Sequence, residues 1–214
     1  MITITNDYIN AAVGSESAIL QDIHLKEKNI AIYRRNIEHL STELNQLGGQ
    51  EIEFRASGSY EEILVLLKEL FDIQLSNCPQ LLGDISQLIQ LFKQTTKASS
   101  FRLFLASVRT DMCRKFHTDI NDLRLLCTYT GPGTLWLPNE IVNYKALQSK
   151  TGDQEIVLDH QQVQQAATGD IVLLKGALYP EADPILHRSP PIKVNGQTRI
   201  LLRIDTNEFL NYFS

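Results

Sequence analysis

The period of the hydrophobic pattern changes once along this chain, close to Ser99-Ser100. Before that point apolar residues recur every three or four positions, which is typical of one face of a helix. After it, short alternating or continuous apolar stretches are separated by closely spaced turn residues, as between short strands. The pattern predicts an α+β fold with a helical α+β segment over residues 1–99 and a β-rich core over residues 100–214.

Three helices are predicted in the first part. Asn36 is a suitable N-cap for the first, Gly48-Gly49 ends it, and Ser57-Gly58-Ser59 precedes the second. The predicted helices span residues 37–47, 60–71 and 79–93, and two strands are predicted at residues 29–34 and 51–55.

The second part contains the larger number of predicted strands, at residues 101–109, 123–130, 134–137, 155–158, 170–175 and 198–204. Gly131-Pro132-Gly133, Thr168-Gly169-Asp170 and Asn195-Gly196 are among the turns between them. Many short strands with frequent turns favour a sandwich or barrel. We expect a double-stranded β-helix, the jelly roll of the cupin type, which the N-terminal segment packs against.

Composition excludes several classes of function. A 43% hydrophobic and 21% charged composition is that of an ordinary globular domain, and the net charge of −5 offers no basic surplus for nucleic acid. The longest strictly apolar stretch, residues 63–67, is too short to cross a bilayer. The first residues lack a signal-peptide pattern, and Cys78, Cys113 and Cys127 lack framework spacing. We therefore expect a cytoplasmic protein with reduced thiols.

A short triplet, His117-Thr118-Asp119, is followed seventy residues later by His187. On a strand, residues two apart point the same way, so His117 and Asp119 can direct an imidazole and a carboxylate at one point. His187 follows a later predicted strand and completes the set. Two histidines and one carboxylate form the facial triad of non-haem Fe(II) oxygenases, which leaves metal positions open. The alternative is that these are surface or structural residues.

Two arginines follow the second histidine. Arg199 and Arg203 are four apart on a predicted strand, so they share a face but lie about 13 Å apart along it. Arg199 is the better candidate for the distal carboxylate of 2-oxoglutarate, because guanidinium offers a planar bidentate fork. Arg203 is a second candidate for an anion, either cosubstrate or substrate, or for a buried carboxylate partner. A solvated strand position is the alternative for each.

The cysteines offer a competing chemistry. Cys113 and His117 are four apart, and thiolate and imidazole ligands suit Zn(II). No Cys-x-x-Cys pair is present, and a nucleophilic Cys113 with His117 as its base rests on a single spacing. Cys127 alternates with Leu125 and Tyr129, which indicates a position in the core.

Several stretches resemble a bacterial family known as domain of unknown function 1826. They are CRKFHTD (113–119), LLCTYTGPGTLW (125–136), DIVLLKG (170–176), LHRSPPI (186–192), RILLRID (199–205) and NIAIYRR (29–35). The resemblance implies a genomic setting near zinc-responsive GTPases. The order His-x-Asp, His, Arg is similar to that of the 2-oxoglutarate oxygenases.

Together these observations predict Fe(II)- and 2-oxoglutarate-dependent oxidation of a small-molecule substrate. His117, Asp119 and His187 would hold the metal, and Arg199 would hold the cosubstrate. Tyr129 and Trp136 are candidates for pocket walls, with a position in the core as the alternative. Two alternatives remain open. One is a cupin-like zinc-binding protein without turnover that serves metal homeostasis, and the other is a purely structural or partner-binding β-domain.

Overall fold

The computed structural model describes residues 8–149, 153–181 and 183–206. Within them the chain forms a mixed α+β fold with one large, mostly antiparallel sheet and one small sheet. The strands are β1 (Ala11–Gly14), β2 (Ile30–Tyr33), β3 (Glu53–Gly58), β4 (Phe101–Val108), β5 (Leu123–Thr130), β6 (Leu135–Trp136), β7 (Gln164–Gln165), β8 (Ile171–Lys175), β9 (His187–Arg188) and β10 (Arg199–Thr206).

The large sheet has the order β1-β2-β8-β5-β10-β4-β3, and the small sheet has the order β7-β6-β9. Only β1 and β2, among the described strands, pair in parallel. Strand β10 lies between β5 and β4 and is antiparallel to both. The last strand of the described chain is therefore near the centre of the sheet, where both of its edges are hydrogen-bonded.

The helices are α1 (Ser41–Gln46), α2 (Tyr60–Gln74), α3 (Pro79–Thr96), α4 (Tyr144–Gln148) and α5 (Asp153–Ile156). Short 3₁₀ helices span Ser17–His24, Glu38–Leu40, Asn139–Ile141, His160–Gln162 and Lys193–Asn195. Helix α2 begins with a capping box, in which the Ser59 side chain accepts from the Glu62 amide and the Glu62 side chain accepts from the Ser59 amide. No helix among the described residues is both long and apolar enough to cross a bilayer.

Strand β10 separates two environments. Ile200, Leu202 and Ile204 belong to the core between the large sheet and helices α2 and α3. Leu201 points the other way, into a second core between the two sheets. Arg199 and Arg203 share the side of Leu201 and line a pocket with it. The alternation along one strand thus directs both arginines towards the small sheet.

Most of the predicted elements are confirmed, with ends shifted by a few residues. The first predicted helix is a 3₁₀ turn followed by α1, and the other two are α2 and α3, each three residues longer than predicted. The strand prediction at residues 155–158 is wrong, because α5 ends at Ile156 and only Val157 forms a bridge, with Val142. Strand β1 and the two-residue strands β7 and β9 were not expected.

The N-terminal part supplies β1, β2 and β3 to the large sheet, and its helices pack on one face of that sheet. The division into residues 1–99 and 100–214 stays a prediction.

Candidate metal centre

Three side chains that the sequence singles out meet at one point. His117, Asp119 and His187 each offer one ligand atom, and these atoms lie within 4.8 Å of one another. His187 Nε2 is 3.2 Å from Asp119 Oδ2, and His117 Nε2 is 3.7 Å from Asp119 Oδ1. Among the described residues this is the one cluster of histidine, cysteine and carboxylate side chains with such spacing.

Backbone pairing brings the two histidines together. His117 and His187 form an antiparallel bridge in which each amide donates to the other's carbonyl, at 3.1 and 3.0 Å. Directly opposed residues project from the same face of a ladder, and the ring centroids are 4.6 Å apart. His187 also pairs with Trp136 of β6, so the bridge adds His117 to the edge of the small sheet.

The expected reason for the convergence of His117 and Asp119 is wrong. The two do not share a strand, since His117 forms a single bridge and Asp119 lies in the irregular segment that follows. The Asp119 carbonyl accepts from the Ala177 amide at 2.8 Å, which ties that segment to the chain after β8. The convergence therefore depends on long-range contacts rather than on the period of a strand.

Hydrogen bonds at the back of each ring fix the tautomer that faces the cluster. His117 Nδ1 is 3.0 Å from the Lys115 carbonyl, and His187 Nδ1 is 3.3 Å from the Ile185 carbonyl. A carbonyl only accepts, so each Nδ1 carries a hydrogen, and Nε2 is the ligand atom of the ring in its neutral form. Burial, together with the nearby His187, lowers the pKa of His117, which favours the neutral ring. Such backing hydrogen bonds are usual for histidines that bind metals.

The two carboxylate oxygens of Asp119 have different surroundings. Its Oδ1 is 2.5 Å from Arg124 Nη1, whereas Oδ2 is buried without a hydrogen-bond partner. Burial alone would raise the pKa of Asp119, but His187, Arg124 and His117 lower it to about 2. The cluster therefore joins two imidazoles and an ionised carboxylate, and with both rings in the neutral form this is a donor set for a cation.

Arg124 and Asp205 are neighbours of the ligand cluster that sequence reasoning missed. Arg124 on β5 bonds Asp119 and also donates from Nε to Asp205 Oδ1 at 2.6 Å. Asn121 donates to the same Asp205 oxygen at 3.0 Å. The available signal was a charged residue on the inward face of an apolar strand, at Arg124 in β5 and at Asp205 in β10.

Among the described residues around this site, Arg199 is a cation without a carboxylate partner. Its side chain is buried, at 1% exposure. Its Nη2 donates to Thr128 Oγ1 at 2.9 Å, and its Nε has no hydrogen-bond partner. No carboxylate of the described residues forms an ion pair with it, and burial alone lowers its pKa to about 10. A buried cation without an anion indicates a place for an anionic ligand.

A pocket of about 60 Å³ joins the histidines to Arg199. Arg203 lies on the same wall and has the carboxylate partner considered for it, since its Nε is 3.2 Å from Asp205 Oδ2. Cys113 also lines the pocket, although its thiol does not belong to the ligand cluster.

Two expected pocket walls are wrong. Tyr129 faces the helices, where its hydroxyl donates to Asp84 at 2.6 Å, and Trp136 packs edge-on against Tyr8 at 5.8 Å in the core between the sheets. Neither side chain lines the pocket.

Comparisons with known proteins give one family and several distant structures. No curated protein sequence matches the chain. A prolyl-4-hydroxylase from Pseudomonas putida is 11% identical, with a TM-score of 0.46 over 88% of this chain and 96% of that one. A full-length protein from Neurospora crassa, solved in complex with alpha-KG and 5-formyluracil, is 12% identical, with a TM-score of 0.44 over 95% of this chain and 86% of that one.

The family is established by a match along nearly the whole described chain. The model described as protein of unknown function (DUF1826) matches residues 14–205, a range that includes the ligand cluster and Arg199. The chain is therefore a member of the DUF1826 family.

Proposed function

We propose that this chain is an Fe(II)- and 2-oxoglutarate-dependent oxygenase that acts on a small molecule. One observation carries the proposal. A His-Asp-His cluster adjoins one small pocket, which both histidines line, and a buried guanidinium in the same pocket has no anionic partner among the described residues. The first feature calls for a cation and the second for an anion, and a metal with a bound dicarboxylic acid supplies both.

The chain's own residues fit the metal. Nε2 of His117, Nε2 of His187 and Oδ2 of Asp119 would be the ligands. The supporting observation is that Asp119 Oδ2 is buried without a hydrogen-bond partner and lies 3.2 Å from His187 Nε2. Arg124 holds the other oxygen of Asp119, and carbonyls hold both rings. Two histidines and one carboxylate leave further metal positions open to small ligands.

The cosubstrate would be anchored by Arg199. Its fork would bind the distal carboxylate of 2-oxoglutarate, and Thr128 keeps that fork in place. Iron and 2-oxoglutarate supply the oxidising chemistry when bound. The chain orients the cosubstrate and keeps water away from one side of the pocket, because Leu126 and Leu201 are buried beside Arg199 and Arg203. Arg203 pairs with Asp205 through its Nε, and we assign the terminal N–H groups of its guanidinium to the substrate side of the pocket.

We further propose that the two sheets form a double-stranded β-helix, with residues 100–214 as its core and residues 1–99 packed on it. The support is the apolar core enclosed between the large and small sheets.

A pocket of about 60 Å³ is small for a dicarboxylic acid, so we expect the exposed rim residues Met112 and Cys113 to move when it binds. The three free cysteines support a cytoplasmic location.

The test is an anaerobic titration of the purified protein with Fe(II), followed by 2-oxoglutarate. We expect one Fe(II) per chain and then the visible charge-transfer absorption of an Fe(II)–2-oxoglutarate complex. Iron binding without that absorption at any 2-oxoglutarate concentration would contradict the oxygenase. The zinc-binding cupin would then be the better account, since the same three ligands suit Zn(II).

A further inference from the structure

A second pocket adjoins the metal pocket on the same face of the large sheet. It measures about 300 Å³, and its side chains include Arg55, Arg102, Phe104 and Arg203. Arg203 lines both pockets, so they meet at this one side chain. We call the second pocket the arginine groove. Its volume is at the lower end of the range for small-molecule sites.

Strand register builds the groove. Phe104 on β4 is paired with Arg203 on β10 and with Arg55 on β3, so the three side chains form one row across the sheet. The Cζ atom of Arg55 is 4.3 Å from the centre of the Phe104 ring, and that of Arg203 is 5.2 Å away. A guanidinium packed on an aromatic ring keeps its N–H edge for hydrogen bonds and loses less freedom when an anion binds.

The two pockets are rich in arginine. Arg55, Arg102 and Arg203 line the arginine groove, and Arg124, Arg199 and Arg203 line the metal pocket. Arg55 pairs with Glu53, and the carboxylates of Asp119 and Asp205 pair with Arg124 and Arg203. The whole chain has a formal charge of −5, so this concentration of cations contrasts with the average.

Arg55 is free to exchange its partner. Its ion pair with Glu53 is 3.1 Å long, and both side chains are 64% exposed. Exposed pairs of this kind contribute little to stability. A ligand oxyanion can therefore replace Glu53 at small cost, whereas Arg124 and Asp205 are largely buried and bonded on several sides.

We propose that the arginine groove binds an oxyanion group of the substrate, a phosphate ester or a carboxylate, and thereby selects an anionic small molecule. The identification of this anion as a substrate rests on the proposed oxygenase function. Anion binding itself needs neither iron nor 2-oxoglutarate. An anion held between Arg55 and Arg203 leaves the rest of the molecule beside the His-Asp-His cluster, because Arg203 belongs to both pockets.

The test is isothermal titration calorimetry of metal-free protein with inorganic phosphate and, separately, with malonate, at low ionic strength in a zwitterionic buffer. We expect saturable binding of at least one probe. Arg203→Gln should weaken it about tenfold and Arg55→Gln about three- to tenfold, as expected for losing a charge-assisted contact. Tighter binding of phosphate would indicate a phosphate ester, and tighter binding of malonate a carboxylic acid.

Arg34→Gln is the matched control, because Arg34 is an exposed arginine outside both pockets. It should leave the affinity within about twofold. Arg55 is exposed, so its variant should fold normally, which circular dichroism verifies. Absence of saturable binding in the wild type would overturn the proposal, and so would binding that Arg199→Gln abolishes while Arg55→Gln and Arg203→Gln leave it intact. An anaerobic Fe(II) titration of the same metal-free wild-type protein reports separately on the oxygenase site.

Discussion

Arg35 and Arg199 lie on opposite faces of the large sheet, both largely shielded from solvent, and they have opposite surroundings. On the helix side, Arg35 donates from both terminal nitrogens to Asp84, at 2.5 and 3.0 Å, and from Nε to the Gly169 carbonyl at 2.8 Å. Burial alone would lower the pKa of Arg35, but the Asp84 carboxylate raises it well above its ordinary value. On the other side, Arg199 has the Thr128 hydroxyl and no described carboxylate, and its pKa falls to about 10.

This difference separates a buried charge that the fold itself neutralises from one that it does not. A buried cation with a bidentate carboxylate is complete, and it holds helix α3 to the sheet because Asp84 lies on α3. A buried cation without an anion costs desolvation energy that the folded chain alone does not recover. We therefore interpret Arg35 as part of the scaffold and Arg199 as part of a ligand site.

The largest difference that we expect between the two faces concerns their thiols. Cys127 on the helix side is 1% exposed, and burial raises its pKa to about 12, against an ordinary value of 9.0. Cys113 at the pocket rim is exposed. Iodoacetamide at pH 8 should label Cys127 at least about a thousandfold more slowly, because both the thiolate fraction and the access are smaller. Mass spectrometry of the two peptides over time measures the ratio, and similar rates would contradict a closed helix-side core.

The next effect is on stability. Arg35→Met leaves Asp84 buried without its cation and should lower the free energy of unfolding by about 3–5 kcal/mol. Arg199→Met leaves no uncompensated charge, so it should change stability by less than about 1 kcal/mol or increase it. Urea denaturation followed by circular dichroism measures both variants.

Arg34→Met is the control for this pair, since Arg34 is exposed and should give a change within about 0.5 kcal/mol. Equal destabilisation by Arg35→Met and Arg199→Met would remove the distinction between the two faces.

The third effect concerns the metal. His117→Ala, Asp119→Ala and His187→Ala should each weaken divalent-metal binding by more than about 100-fold, since loss of an outer partner alone costs about 10- to 100-fold. His24→Ala and His160→Ala are matched controls, because both histidines lie outside the cluster. Elemental analysis after dialysis gives the metal content, and wild-type content in all three cluster variants would eliminate the site.

Long elements were predictable from the sequence because each carries its own signal. Helix α2 has a regular apolar stripe and a capping box, and β5 was predicted with the ends that the structure gives it. Strand β9 has only two residues, too few to show a period, although it positions His187. In the region predicted as a strand at residues 155–158, one short apolar run fitted both a strand and the four-residue helix α5.

The site was predictable in its residue types but not in its geometry. His117, Asp119, His187 and Arg199 were chosen for their chemistry. The structure brings the first three into one cluster, and both histidines share a pocket with Arg199. The support around them could not be read from spacing. Arg124 and Asp205 are 81 residues apart, and Arg35 and Asp84 are 49 apart. Such pairs depend on strand order and helix packing, which the local sequence does not encode.

The central claim is that the uncompensated guanidinium of Arg199 anchors the cosubstrate of a metal site. The most direct measurement is the anaerobic titration of Fe(II)-loaded protein with 2-oxoglutarate, followed by charge-transfer absorption, in wild type, Arg199→Met and Arg199→Lys. We predict that Arg199→Met binds Fe(II) normally but 2-oxoglutarate about ten- to a hundredfold more weakly, and that Arg199→Lys recovers only part. Equal 2-oxoglutarate affinity in wild type and Arg199→Met would contradict the account.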